Sequence, residues 1–335
     1  MKLFSSLALL GSIVSETLGH SLASRDDSVG FDPVCGSVVS SEAMDLSRSR
    51  TEQLRRNFRR DPEDIYQGPI QTYWHVLYAN ETDDGGYIQP EYISAQMDIL
   101  NADFGPSGFS FELRNVSYLQ NAPAWQLLNL TDANTVPDIL APNRVGDYRT
   151  LNIFTASAIS TGGTANQTTI GVASFPNFDD APFPELNSSV FVVHWSLPNN
   201  AGAKIPILPA SSDYTFLGKN LVHEVGHWTG LYHTFQPNLT TQAECDPVND
   251  QVNDTPAHIY IRELNSGNSS ISCDVMPDTC PDIPGLDPIH NYMNYIVDKC
   301  RFEFSPGQIA RQHEQMYLYR GVQAEGYNGP EDVGY

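Results

Sequence analysis

The chain has 335 residues, with 18 Lys and Arg against 40 Asp and Glu, a formal net charge of −22. A surface that acidic repels a phosphate backbone, which argues against nucleic acid as a partner. At 40% apolar and 17% charged, with 16 Tyr and 15 Phe, the sequence can bury a core, which excludes wholesale disorder.

Lys2 and the apolar run over 3–14 predict a signal peptide over 1–19. The run is too short to span a bilayer, and Gly19 or Ala23 offers a small residue for cleavage. No later segment is apolar for 18 residues, and the polar ending EGYNGPEDVGY suits no lipid-anchor signal. The mature protein is therefore expected to be secreted and extracellular, without membrane anchoring, and a monomer. Eight N-x-S/T sequons fit export: Asn80, Asn115, Asn129, Asn166, Asn187, Asn238, Asn253 and Asn268.

Between 26 and 67 the chain is polar, with no sustained apolar period, and holds six of the 18 basic residues. It reads either as a solvated, partly helical arm or as a pro-segment over 20–60. Arg59-Arg60 then supplies a dibasic cleavage site before Asp61-Pro62. From Ile70 the pattern becomes structured. IQTYWHVLY predicts a strand, and DDGG a turn. Pro90 opens a helix on EYISAQMDILNADF, whose Ile93, Met97, Ile99 and Leu100 recur at helical spacing. FSFELRNVSYL, TLNIFTA, GVASFP and VFVVHW predict strands, and 216–229 a helix ended by Gly230. The stretch to about 304 is irregular and carries four of the five Cys. A last helix is expected over 306–320, with Ser305 as N-cap.

The decisive string is His223-Glu224-Val225-Gly226-His227-Trp228-Thr229-Gly230-Leu231-Tyr232-His233. On a helix, His223 and His227 share one face a turn apart. Gly230 lets the chain leave the helix sharply and bring His233 back as a third ligand. Three imidazoles with an open fourth position are the donor set of a catalytic zinc, and Glu224 sits beside the first ligand to reach its water. The other histidines (His75, His194, His258, His290 and His313) lack ligand spacing. Met293, in NYMNY 60 residues after His233, completes the pattern of an extended HExxH motif followed by a Met-turn.

HEVGHWTGLYHTF, DQVNDTP, DPIHNYMNY and FSPGQ together resemble the pappalysin-type metzincins, most closely their secreted fungal extracellular metalloproteases. The resemblance covers roughly 68–320. It implies an α+β zincin fold: a mixed twisted sheet with backing and active-site helices, then an irregular, disulfide-stapled C-terminal subdomain. The catalytic domain would span 61–335, with an upper subdomain over about 68–233 and a lower one over about 234–335. It implies a zinc endopeptidase acting on proteins and peptides, one zinc per chain, Glu224 as general base and Tyr295 as stabiliser of the tetrahedral intermediate. Asp298 matches an acid at the base of the primed-side pocket that selects Lys or Arg just after the scissile bond. Lys299 beside it would weaken or redirect that preference, and an exposed loop carboxylate is the alternative. The strand over 171–176 would pair with extended substrate. Asp250, Val252 and Thr255 match positions near a calcium ion, and glycosylation at Asn253 would compete with a packed site there.

Spacing alone leaves three pairings open for Cys245, Cys273, Cys280 and Cys300. The resemblance implies Cys245–Cys280 and Cys273–Cys300. Cys35 is left over inside the presumed pro-segment. A thiolate is a good zinc ligand, so Cys35 is expected to fill the fourth metal position in a zymogen; an incidental or intermolecular thiol is the alternative. Two other readings stand beside the protease: a silent binding glycoprotein with a structural zinc, disfavoured by Glu224, and a matrixin or astacin relative, disfavoured by Thr234 after His233.

Overall fold

The aromatic-rich run IQTYWHVLY forms a strand inside a mixed sheet in the computed structural model. The structure describes residues 33–37, 39–57, 61–162, 168–176, 188–206, 215–236, 245, 250–260 and 272–327. The signal peptide, Arg59-Arg60, Asn166, Asn187, Asn238 and Asn268 lie outside the described residues.

In chain order the elements are β1 (Pro33–Cys35), α1 (Ser41–Asn57), β2 (Tyr66–Gln67), β3 (Ile70–Tyr78), α2 (Pro90–Phe104), β4 (Phe111–Gln120), α3 (Ala122–Gln126), β5 (Leu128–Asn129), α4 (Ala141–Asn143), β6 (Leu151–Ala156), β7 (Ile159–Ser160), β8 (Thr168–Ala173), β9 (Ser189–Val193), α5 (Lys219–Trp228), α6 (Pro306–Gln315) and β10 (Val322–Gln323). The main sheet runs β4-β3-β6-β9-β8-β7-β5, with β1 also paired to β8. Neighbours from β4 to β9 are parallel, whereas β8 runs antiparallel to β9. Strands β6 and β9 are buried throughout, as strands covered on both faces must be.

The two faces bury different sets. Trp74, Val76, Ile153, Val190 and Val192 pack with Ile93, Met97, Leu100 and Phe104 of α2 and with Leu221, Val222, Val225 and Trp228 of α5. Leu77, Phe154, Phe191 and Val193 pack on the other side with Leu128, Leu140, Trp195 and Phe216. Helix α5 thus lies against the sheet on its apolar stripe, beside the antiparallel strand β8. That placement sets the site.

Three expectations shift. The helix expected from 216 begins at Lys219, because Gly218 takes φ +81°. The final helix is α-helical only to Gln315 and continues as a π-turn, Met316–Arg320. There Arg320 is bolted to its surroundings, donating to the carbonyls of Trp228, Tyr148 and Ser174. The polar arm over 26–67 holds two short strands and a 17-residue helix, all packed on the body. Its apolar pattern was silent because the inward face of α1 is mostly polar: Met44, Ser47 and Thr51.

Candidate metal centre

Helix α5 carries His223 and His227 on the face turned toward the irregular half, with Glu224 beside them, all buried. At Gly230 the backbone takes φ +105°, a conformation a side chain would strain, and the chain turns so that His233 faces the pair. Each Nδ1 meets an oxygen: His223 that of Tyr292 and His227 that of Leu231, both main-chain carbonyls at 2.7 Å. His233 meets Gln236 Oε1 at 2.7 Å. Carbonyl oxygens only accept, so Nδ1 carries the proton in each ring and the Nε2 lone pairs point at one spot. His227 Nε2 lies 3.1 Å from both His223 Nε2 and His233 Nε2.

Nitrogens held about 2.0–2.1 Å from one zinc ion in a tetrahedron stand about 3.3 Å apart, so the three rings fit that ion. Burial, reinforced for His223 by its two neighbouring imidazoles, pushes the ring pKa values down, that of His233 to about 4. The rings are therefore neutral ligands at physiological pH. Cys35 Sγ joins the group: its sulfur and the three imidazoles have ligand atoms within 4.8 Å of one another.

The remaining site residues gather around this cluster. Met293 is fully buried beneath α5, and a Cβ added to Gly226 would stand 2.4 Å from its sulfur; the helix has to be bare there. Glu224 accepts from the Cys35 thiol at 3.3 Å and faces the Ser37 hydroxyl at 3.5 Å, while its Oε1 has no partner. Burial pushes the Glu224 carboxyl up to about 8. The Tyr295 hydroxyl donates to the Cys35 carbonyl at 3.0 Å and accepts from the Cys35 amide at 2.7 Å. Gly36 donates its amide to Gly171 O at 2.8 Å, so β1 runs along β8 across the front of the cluster.

Asp298 is not an exposed loop carboxylate. It is buried, accepts from the amides of Leu217 and Lys219 at 2.9 and 3.1 Å, and pairs with Arg301. It ties the start of α5 to the turn behind Met293. Asp250, Val252 and Thr255 come together but close on each other: the Thr255 hydroxyl lies 2.8 and 2.9 Å from the two Asp250 oxygens and 2.9 Å from Val252 O. Asp254 instead caps α6, accepting from Ser305 Oγ and the Gly307 amide. Disulfides join Cys245 to Cys280 and Cys273 to Cys300, with Cα–Cα distances of 5.9 and 5.3 Å. Among the sequons, Asn80 and Asn115 are exposed and Asn129 is half-buried.

Sequence reasoning missed Ser37, Gln236 and Arg301. Gln236, three residues after His233, was findable as a partner for its ring. Ser37 and Arg301 carry no local signal, since their roles depend on elements far away in the chain.

Residues 199–317 match the model of peptidase family M43, described as pregnancy-associated plasma protein-A. An extracellular metalloprotease of Verticillium alfalfae is 37% identical over 260 residues, 77% of this chain and 80% of its own. The chain belongs to the pappalysin family of metalloproteases. Extracellular metalloprotease 1 of Coccidioides posadasii is 32% identical to this metalloprotease over 289 residues, 85% of the chain and 90% of its own. In fold the metalloprotease is similar to a promirolysin mutant of Tannerella forsythia, with TM-score 0.59 and 18% identity, covering 87% of this chain and 97% of that one. Mature mirolysin with a cleaved peptide gives TM-score 0.51 and 19% identity, covering 76% and 97%. This metalloprotease is a zinc-dependent endopeptidase of α+β, metzincin-like fold, and its substrates are proteins.

Proposed function

We propose that this metalloprotease is a secreted monomeric endopeptidase, and that the form described here is its latent one. The observation that carries the reading is the convergence of three Nε2 atoms and Cys35 Sγ beside Glu224. His223, His227 and His233 would hold zinc, with the Cys35 sulfur in the place of the water until the segment leaves. Bound zinc supplies a Lewis acid for the scissile carbonyl and a water of lowered pKa.

The rest belongs to the chain. Glu224 takes a proton from the attacking water and hands it to the leaving amine, a transfer typically worth about 10² to 10⁴ in rate. In the latent form its Oε2 faces the Cys35 thiol and the Ser37 hydroxyl, which leaves it idle as a base. Withdrawal of the segment lets water in and frees it. Tyr295 then turns its hydroxyl from the Cys35 carbonyl to the developing oxyanion. Substrate takes the place of β1 along β8 and pairs with its backbone. Likeness to promirolysin extends over more of the chain than likeness to mature mirolysin, 87% against 76%, which supports reading the N-terminal part, within 20–60, as a pro-segment. Among the described residues no helix is long and apolar enough to cross a membrane, and the relatives' name, extracellular, supports export through the 1–19 leader.

Calcium is not part of this reading, because Asp250 has its oxygens engaged by Thr255 and Val252. Nor is selection of Lys or Arg after the scissile bond, because it needs an oxygen of Asp298 open to substrate.

The test is hydrolysis of a peptide library by the activated chain. Cleavage abolished by chelator, restored by zinc and reduced at least about 10²-fold in Glu224→Gln is the expected result. Cys35→Ser should raise the activity of the uncut chain. A Glu224→Gln enzyme with full activity would end the proposed role of that carboxylate, and a fully latent Cys35→Ser chain the role of the thiol.

A further inference from the structure

Outside the metal cleft the N-terminal segment has a second hold on the body. The inward stripe of α1 is Met44, Ser47 and Thr51, all buried, followed one turn later by Arg55. Met44 packs with Val39, Phe175 and Tyr232. The Tyr232 hydroxyl lies 3.1 Å from Ser47 Oγ, and Thr51 Oγ1 lies 3.0 Å from the Tyr319 hydroxyl. Arg55 Nε donates to Glu314 Oε1 at 2.6 Å, and Glu314 is almost wholly buried. Gln251 Nε2 donates to the Met44 carbonyl at 2.8 Å. These contacts come from four separate stretches of the body, around 175, 232, 251 and 314–319. They form one face, and its occupant is an amphipathic helix with a polar stripe and a basic end.

We propose that this face is a docking surface in its own right, and that it keeps residues 41–57 bound after the chain is cut behind them. The proposal rests on the pro-segment reading above. Every segment residue that meets the face lies N-terminal to the cut, so scission at or near Arg59-Arg60 removes the covalent tether and leaves the helix seated. Activation is then two steps: cleavage, and dissociation of a non-covalent ligand. The chemistry suits a contact that must come apart. Polar hydrogen bonds and one charge-assisted pair leave both partners soluble after release, unlike the apolar interfaces of permanent complexes.

The experiment uses the full chain carrying Glu224→Gln, so that nothing is digested, cut between 57 and 61 by an added protease. Size-exclusion chromatography at low salt should keep the segment with the body, and Cys35→Ser in the same chain should not release it. Adding Arg55→Ala should weaken retention about tenfold, since it leaves the buried Glu314 carboxylate without the half-exposed cation that faces it. A free peptide 40–58 should displace the bound segment, and the same peptide with Arg55→Ala should do so poorly, a comparison independent of whether the variant chain folds. Immediate loss of the segment from the cut Cys35→Ser chain would overturn the proposal, as would equal displacement by both peptides. All arms use an inactive chain, so failure of the protease reading, seen in its own hydrolysis assay, leaves this result distinguishable.

Discussion

Asp298 and Arg301 are the residues whose roles differ most from what their neighbourhood in the sequence implies. Asp298 Oδ2 accepts two amides at the start of α5, and Oδ1 is paired with Arg301. The carboxylate thus acts as an anion at a helix N-terminus, where the dipole favours it. His223 lies one turn further along the same helix, and the Arg301 charge reaches both His223 and Glu224. Two outcomes are expected. Cleavage profiling should find no enrichment of Lys or Arg just after the scissile bond, because a substrate cation meets a carboxylate already satisfied. Asp298→Asn should destabilise the fold by about 3–5 kcal/mol, since it leaves Arg301 buried without its charge partner. Strong enrichment of basic residues at that position, together with an Asp298→Asn enzyme of normal stability that loses the enrichment, would show that the carboxylate serves substrate and not the helix.

Elements marked by an apolar pattern or a cap residue were legible, and an element whose inward face is polar was not. β3 could be read from its aromatic and β-favouring residues, α2 from apolar residues at helical spacing and β9 from a short continuous apolar run. α5 was legible as a helix but not at its first turn, whose cap is a carboxylate 79 residues away. α1 was legible only as part of a partly helical arm, because Ser47 and Thr51 fill the positions that an apolar stripe would occupy. The three ligands, Glu224 and Met293 were legible through fixed spacing. Ser37 and Arg301 were not, because only folding brings them there. α6 tests the local rules directly. Ser305 caps it in both directions of a capping box and also donates to Asp254. Ser305→Ala should lower the unfolding free energy by about 1 kcal/mol, with a larger loss if the Asp254 contact counts as well. An unchanged midpoint in denaturant would mean that tertiary packing alone fixes the helix start.

At the scale of the whole molecule, buried histidines and a buried aspartate set opposite responses to acid. Burial lowers the pKa of His258 to about 4 from 6.5, and those of His75, His194 and His313 in the same direction. A depressed histidine contributes stability that is present above the unfolded value and lost as pH falls toward the folded one, because the unfolded chain binds the proton first. For His258 that loss is about 3 kcal/mol between pH 7 and pH 4. Asp250 runs the other way: burial raises its carboxyl to about 7 from 3.8, so its contribution is present at low pH and lost as pH rises through that window. The two oppose each other over that window, and Glu224 and Asp287, whose carboxyls burial also raises, act in the same sense as Asp250. Melting temperatures of the wild type and of His258→Gln and Asp250→Asn between pH 7 and pH 4.5 separate the terms. His258→Gln should flatten the acid limb and Asp250→Asn should steepen it, each by about one proton of linkage. Release of zinc by acid is common to all three proteins and drops out of the differences. Curves that stay parallel over the window would show that neither group is held away from its ordinary titration by burial.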